Sequence, residues 1–320
     1  MKISVALATY NGEQFLQEQL QSIAAQRRQP DELVVCDDAS TDATAALVRR
    51  FAAESPFEVR LEVNAKNGGA SRTFARAVAL CRGDIIALCD QDDVWRPEKL
   101  ARVEEAMSGE PRLGFVFSDA ALIDASGRRL PRRLWQAIGF TPRLQRRFDV
   151  GDAARLLVKR NLVTGATMAF RSQFSDLLLP IAGHWIHDAW FALLLAAVAP
   201  CRALREPLIE YRQHDGQQIG ALKAAFYERF QRAAHDGRER LEQGAADFDA
   251  ARQRLLQFRA RLADAMLPAL LAEKAQHLRA RSRIRASLVC RLPGIASELL
   301  RGRYARFSEN YKAVVQDLLL

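Results

Sequence analysis

The run Ile85-Ile86-Ala87-Leu88-Cys89 is apolar throughout and stops in Asp90-Gln91-Asp92-Asp93, three carboxylates within four residues. Five consecutive apolar residues predict a strand buried on both faces, as in a parallel sheet covered by helices. Packing gives no reason for clustered charge at the end of such a strand. Carboxylates held close together repel and raise one another's pKa, so the cluster is stable mainly around a cation. In open α/β sheets ligands bind in the crevice beyond the carboxyl ends of the strands, which is where these acids would lie. The competing reading is a surface turn whose acids merely precede the helix that opens near Pro97.

Upstream, the chain repeats one pattern. Lys2 to Ala8 reads as a first strand, the polar turn Thr9-Tyr10-Asn11-Gly12 follows, and an amphipathic helix runs from about Glu13 to Gln26. Glu32 to Cys36 is a second strand ending in Asp37-Asp38, after which Ala39-Ser40-Thr41-Asp42 caps a helix to about Phe51. A third strand over 57–63 and a helix over Thr73–Cys81 lead to the strand that carries the acids. Successive βα units with polar residues at the strand ends predict an α/β layer of nucleotide-binding type. No G-x-G-x-x-G follows the first strand and no G-x-x-x-x-G-K-[ST] occurs, so neither dinucleotide nor P-loop binding is indicated.

A chain of 320 residues suffices for one large domain with additions, or for two domains. No targeting segment is expected at the start, and no window is apolar over about 18 residues, so no membrane-crossing helix is expected. The five cysteines are scattered and lack metal-ligand spacing, which predicts reduced core thiols and a cytoplasmic setting. The net charge of +9 is uneven: residues 221–320 carry 19 Lys and Arg against 11 Asp and Glu, leaving the first 220 nearly neutral. Nucleic acid is therefore not the expected partner of the α/β layer.

Taken together, Ala8-Thr9-Tyr10-Asn11-Gly12, Cys36-Asp37-Asp38-Ala39-Ser40-Thr41-Asp42 and Asp90-Gln91-Asp92-Asp93-Val94-Trp95 resemble the motifs of family 2 glycosyltransferases of the GT-A fold. Within that family the chain is most similar to bacterial rhamnosyltransferase-type enzymes of surface polysaccharide synthesis. The resemblance covers about residues 1–220. It implies a mixed, mostly parallel α/β sheet flanked by helices. It also implies inverting transfer of a sugar, rhamnose or another hexose, from a nucleotide diphosphate to a saccharide acceptor. By position, Thr9, Tyr10 and Asn11 would line the donor nucleotide, Asp38 would accept the N–H of the base, and Asp90 would face the ribose or phosphate. Asp92 would hold a divalent metal, Mg or Mn, and Asp93 either supports that role or caps the next helix.

Further along, the resemblance places Thr164 and Gly165 of Asn161–Arg171, together with Trp190, on the acceptor side. Asp188 falls where the family has its catalytic base, although the preceding residue is His187 and not the usual acid. In Tyr211-Arg212-Gln213-His214, Arg212 would offset diphosphate charge and His214 would complete the metal shell. The implied partners are dTDP-rhamnose or a UDP-sugar, and a lipid-linked saccharide.

Arg128–Phe148 is arginine-rich and irregular, and reads as a solvated loop in preference to an acceptor-side excursion. From Ala221 the family motifs stop. Phe226–Gln243 and Asp247–Ala280 are expected as two helices of a basic C-terminal region spanning 221–320. Arg279–Arg306, with eight arginines and one acid among apolar residues, is expected either to lie on the inner membrane surface or to pack back with a solvated basic face. Two other functions fit the pattern less well. A sugar nucleotidyltransferase would need a glycine-rich basic loop after the first strand, and a non-catalytic sugar- or nucleotide-binding scaffold would not need an intact Asp90, Asp92 and Asp188.

Overall fold

Strands β1 (Ile3–Thr9), β2 (Glu32–Asp37) and β4 (Ile85–Cys89) are wholly or almost wholly buried, because helices cover both faces of the sheet that they centre. The structure, a computed structural model, describes residues 1–214, 237–286, 288–309 and 311–320. The sheet has nine strands in the order β3-β2-β1-β4-β8-β6-β9-β5, with β7 paired to β6. β3 (Glu58–Val63), β2, β1 and β4 are mutually parallel, whereas β8 (Met168–Arg171) runs antiparallel to both β4 and β6 (Phe115–Asp124). β6 pairs in parallel with the long β9 (Cys201–Gln213). This is the mixed α/β sheet that the motifs imply.

The register brings the strand ends together. Thr9 lies opposite Asp37, and Leu7 opposite Cys89, so the turns after β1, β2 and β4 open at one edge of the sheet. β5 (Val94–Trp95) pairs antiparallel with β9, Val94 against Glu210, which draws the end of β9 alongside the acidic turn. Helices α1 (Leu16–Ala24), α2 (Thr44–Glu54), α3 (Ala70–Leu80) and α4 (Lys99–Gly109) follow β1, β2, β3 and β5, and α5 (His187–Val198) follows β8. α5 buries nearly every side chain, as its continuous apolar sequence requires.

Two expectations need correction. Arg128–Phe148 is not a solvated loop: Arg129–Arg133 forms β7, and Trp135, Phe140 and Phe148 are buried around Phe117 at ring separations of 5.0 to 5.7 Å. The paired arginines at 128–129, 132–133 and 146–147 hid these aromatic anchors. Asp247–Ala280 is not one helix but parts of α6 (Gly237–Gln257) and α7 (Leu267–Ala286). Asp264 accepts the backbone N–H of Met266 at 2.8 Å and Pro268 sits at the second residue of α7, where a missing N–H is harmless; in an unbroken helix it would cost a hydrogen bond. The first expected tail helix, Phe226–Gln243, lies outside the described residues except for 237–243, which belong to α6.

The chain divides into two units. One comprises Met1–Ala153, Leu162–Ile181 and the described residues from Ile186 to His214; the other comprises Ala154–Asn161, Ala182–Trp185 and the described residues from Gly237 onward. The second unit is helical, adding α8 (Leu288–Leu300), α9 (Arg303–Phe307) and α10 (Tyr311–Leu319). Asp317 ties it together, accepting from Arg281 at 2.6 and 3.0 Å, Arg285 at 2.7 Å and the Tyr304 hydroxyl at 2.7 Å. No described helix is long and apolar enough to cross a membrane.

His277 is buried in this unit, its Nδ1 2.7 Å from Glu298 and its Nε2 2.9 Å from the Ser308 hydroxyl. Burial pushes its pKa from the ordinary 6.5 to about 4, outweighing the Glu298 hydrogen bond, with the Arg281 and Lys274 charges adding to the fall. The folded state thus binds a proton less readily than the unfolded chain, so this stability is present above pH 6.5 and is lost as the pH falls through about 4. The loss should reach up to about 3 kcal/mol. The thermal midpoint of the full chain should therefore drop over that window, and less steeply in His277→Gln. Equal slopes for both proteins would contradict this account.

Candidate active site

β4 delivers its acids onto a short turn held from both sides. One ligand atom from each of Asp90, Asp92 and Asp93 lies within 4.8 Å of the others. Asp93 is fully buried; one oxygen accepts the Arg212 N–H at 3.0 Å, and the other has no hydrogen-bond partner among the described residues. Burial, and then the charges of Asp92 and Asp188, push the Asp90 carboxyl up to about 7. Burial, and then the charges of Asp92 and Asp90, raise Asp93 as well. The buried Lys99 supplies only partial relief: its ammonium donates to Ala166 O at 2.7 Å and lies 3.6 Å from the centre of the Trp95 ring, and burial lowers its own pKa to about 7. An excess of buried negative charge with an unused carboxylate oxygen suits a hard divalent cation.

The end of β9 completes this turn. His214 Nε2 lies 2.8 Å from Asp92 Oδ2, so the expected metal pair is brought together. Arg212 departs from expectation. It is buried, its guanidinium donating to Asp92 O at 2.8 Å and to Glu18 at 2.5 Å and lying 4.8 Å over the Phe15 ring. A buried guanidinium must spend its donors within the protein, and Arg212 spends them fixing the backbone of the acidic turn.

The turns expected on the donor side are equally organised. Tyr10, Asn11, Gly12 and Glu13 donate their backbone N–H groups to Gln91, Ser40, Thr44 and Asp42 at 2.8 to 3.1 Å. Tyr10 is exposed, while Thr9 is buried and donates its hydroxyl to Asp37 at 2.8 Å. Asn11 holds a left-handed backbone at φ 44°, which its short polar side chain tolerates, and its Oδ1 accepts from Thr41 N at 2.9 Å. Asp38, expected on the base N–H, accepts from Asn64 at 2.7 Å, Gly68 N at 2.9 Å and Gly69 N at 2.8 Å. Burial alone would raise its pKa, but these donors together hold it below the usual carboxylate range. It shapes the Gly68–Gly69 turn.

On the other side, Asp188 opens α5, and its Oδ2 accepts the Gly165 N–H at 3.1 Å. Gly165 has no room for a side chain: a Cβ there would stand 2.7 Å from His187 Nε2 and 3.3 Å from Asp188 Cβ. His187 stacks on Phe74 at 3.9 Å, both ring nitrogens are buried without hydrogen-bond partners among the described residues, and burial lowers its pKa to about 3, so it stays neutral beside Asp188. Thr164 is half-buried at the start of the same turn. Trp190, expected on the acceptor side, is instead fully buried with its indole donating to Leu178 O at 2.7 Å; one turn into an apolar helix, it packs the core.

Sequence reasoning missed Gln91, Lys99 and Glu18. Gln91 both accepts from Tyr10 N and donates to Tyr10 O, joining the turns after β1 and β4. Its place between Asp90 and Asp92 was the available signal; nothing local marks Lys99 or Glu18.

Comparison with known proteins agrees with this geometry. The model of Glycosyl transferase family 2 matches residues 4–173, more than half of the chain. An uncharacterized protein of Mycobacterium tuberculosis is 29% identical over 219 residues, covering 66% of this chain and 59% of that protein, so the match spans well under two thirds of that relative. The dTDP-rhamnosyl transferase RfbG of Shigella flexneri is 27% identical over 234 residues, 67% of this chain and 74% of that enzyme. Residues 1–349 of S. aureus TarS, solved in complex with UDP-GlcNAc, share the fold at a TM-score of 0.59 and 18% identity, covering all of this chain and 92% of that one. With its motifs, its sheet and the matched span in agreement, the chain belongs to glycosyl transferase family 2.

Proposed function

We propose that the site transfers a sugar, with inversion, from a nucleotide diphosphate to a saccharide hydroxyl. The observation that carries this reading is the convergence of Asp188 on the acids of β4: its charge helps raise the Asp90 carboxyl, although α5 is remote from β4 in sequence. One carboxylate thus stands beside a cation-suited cluster, the division of labour that displacement of a diphosphate requires. Asp188, held by the Gly165 N–H, takes the proton of the acceptor hydroxyl as its oxygen bonds to the anomeric carbon and the bond to the diphosphate breaks. A divalent metal, Mg or Mn, on Asp92 and His214 with Asp90 alongside would supply positive charge to offset that of the leaving group. The exposed Tyr10 and the Asn11 turn form the nucleotide side.

dTDP-rhamnose is the favoured donor, on likeness to the Shigella rhamnosyl transferase, and a UDP-sugar is the second choice. The acceptor is a lipid-linked saccharide of surface polysaccharide synthesis, and the enzyme works in the cytoplasm at the inner membrane face. The nucleotidyltransferase reading is disfavoured because the N–H groups of residues 10–13, which a phosphate loop would present, are all occupied by side chains. Donor hydrolysis separates catalysis from a mere binding scaffold.

Asp188→Asn should leave donor Kd nearly intact while turnover falls by about 100-fold or more. Turnover within a few-fold of the parent would exclude Asp188 as the base, and a matching loss of donor affinity would move it to the nucleotide site. Gly165→Ala should displace His187 and Asp188, costing roughly 1–3 kcal/mol of stability and lowering kcat more than it raises KM. An unaltered kcat would show that Asp188 needs no fixed position.

A further inference from the structure

The arginine-rich tail does not present its charge as its sequence suggests. Arg281 and Arg285 face inward onto Asp317, and Ile284, Ile295, Tyr304 and Ala313 form a small core between α7, α8, α9 and α10. Outward, α8 shows Val289, Leu292, Ala296, Leu299 and Leu300, every one exposed, with Val289 at 86% and Leu300 at 90%. At 100° per residue these fall within one arc of about 100°, with the buried Glu298 on the far side and the buried Ile295 at its border. α10 repeats the arrangement: Tyr311, Val315, Leu318 and Leu319 are exposed, and Ala313 and Asp317 are buried. Arg291 donates to Leu318 O at 3.2 Å, which sets the end of α10 beside the start of α8.

Two adjoining helices with solvent-facing apolar arcs are not explained by packing within this unit. The charge around them selects the occupant. Among the described residues from 288 onward Arg301, Arg306 and Lys312 are exposed and Glu309 is the only exposed acid, so cations remain in excess even though Lys312 pairs with Glu309 at 3.6 Å and Arg301 lies 3.9 Å from the buried Glu298. A second copy of the chain would set one basic rim against another, while an anionic bilayer accepts both the apolar arc and the rim. We propose that the outward faces of α8 and α10 seat the protein on a membrane of anionic lipid, with the leucines at the acyl boundary and the rim cations among the headgroups. The proposal takes its setting from the reading of a lipid-linked acceptor. It is tested apart from that reading, since vesicle binding needs no sugar transfer and donor consumption needs no vesicles.

The test sediments the full chain with vesicles of phosphatidylcholine alone and of phosphatidylcholine mixed with phosphatidylglycerol. Retention is expected on the mixed vesicles at low salt and should weaken as salt rises. The double variant Leu292→Glu, Leu300→Glu alters side chains that are already exposed, so it should fold and consume donor normally while binding the mixed vesicles at least about tenfold more weakly. Equal retention on both vesicle types, retention on neither, or retention indifferent to the glutamates would overturn the proposal. A dimer in the absence of vesicles, broken by the same glutamates, would assign these faces to a contact between copies and overturn it too.

Discussion

Mutual repulsion among Asp90, Asp92 and Asp93 is the constraint on which the site depends. A sheet strand that ends in three buried or half-buried carboxylates stores unfavourable electrostatic energy, and the fold contains it with devices that would otherwise have no purpose. Arg212 gives its guanidinium to the turn's backbone and to Glu18, Lys99 sits below it on Trp95, and β5 stitches the turn to the end of β9. Among the described residues one oxygen of Asp93 is left without a hydrogen-bond partner. A turn so restrained, yet still short of cation, is preorganised to accept one.

The same economy governs the surrounding loops. Backbone N–H groups after β1 are occupied by Gln91, Ser40, Thr44 and Asp42, so the loop is rigid before any ligand arrives. Gly165 lacks a side chain because the start of α5 needs that volume, and in return its N–H fixes Asp188. The grouped acids and the Gly165–Asp188 contact rest on strand ends and a helix start, elements whose positions are set by a buried sheet.

Much of this was legible in the sequence, for physical reasons. β1, β2 and β4 are apolar runs because both of their faces are covered, and polar residues at their ends mark the crevice edge. Asp188 was visible as an acid opening an apolar helix. What escaped were residues whose role is decided by partners distant in sequence. Arg212 and Asp38 look like ligand-facing groups until Glu18 and the Gly68–Gly69 turn are seen to occupy them. Trp190 looks exposed at a helix start until its indole is found on Leu178 O. In the second unit, alternating arginines among apolar residues left a membrane-facing or a solvated basic face open, whereas Asp317 turns Arg281 and Arg285 inward and leucines stand outside.

The central claim, that the β4 acids form a cation-assisted diphosphate site, is tested most directly by calorimetric titration of dTDP and UDP into the protein with Mn²⁺ and with chelator. The account predicts binding of at least one nucleotide with the metal present, and affinity at least about tenfold weaker without it, since charge at close range is worth kilocalories in a desolvated site. Equal affinity under both conditions, or no binding of either nucleotide, would contradict it.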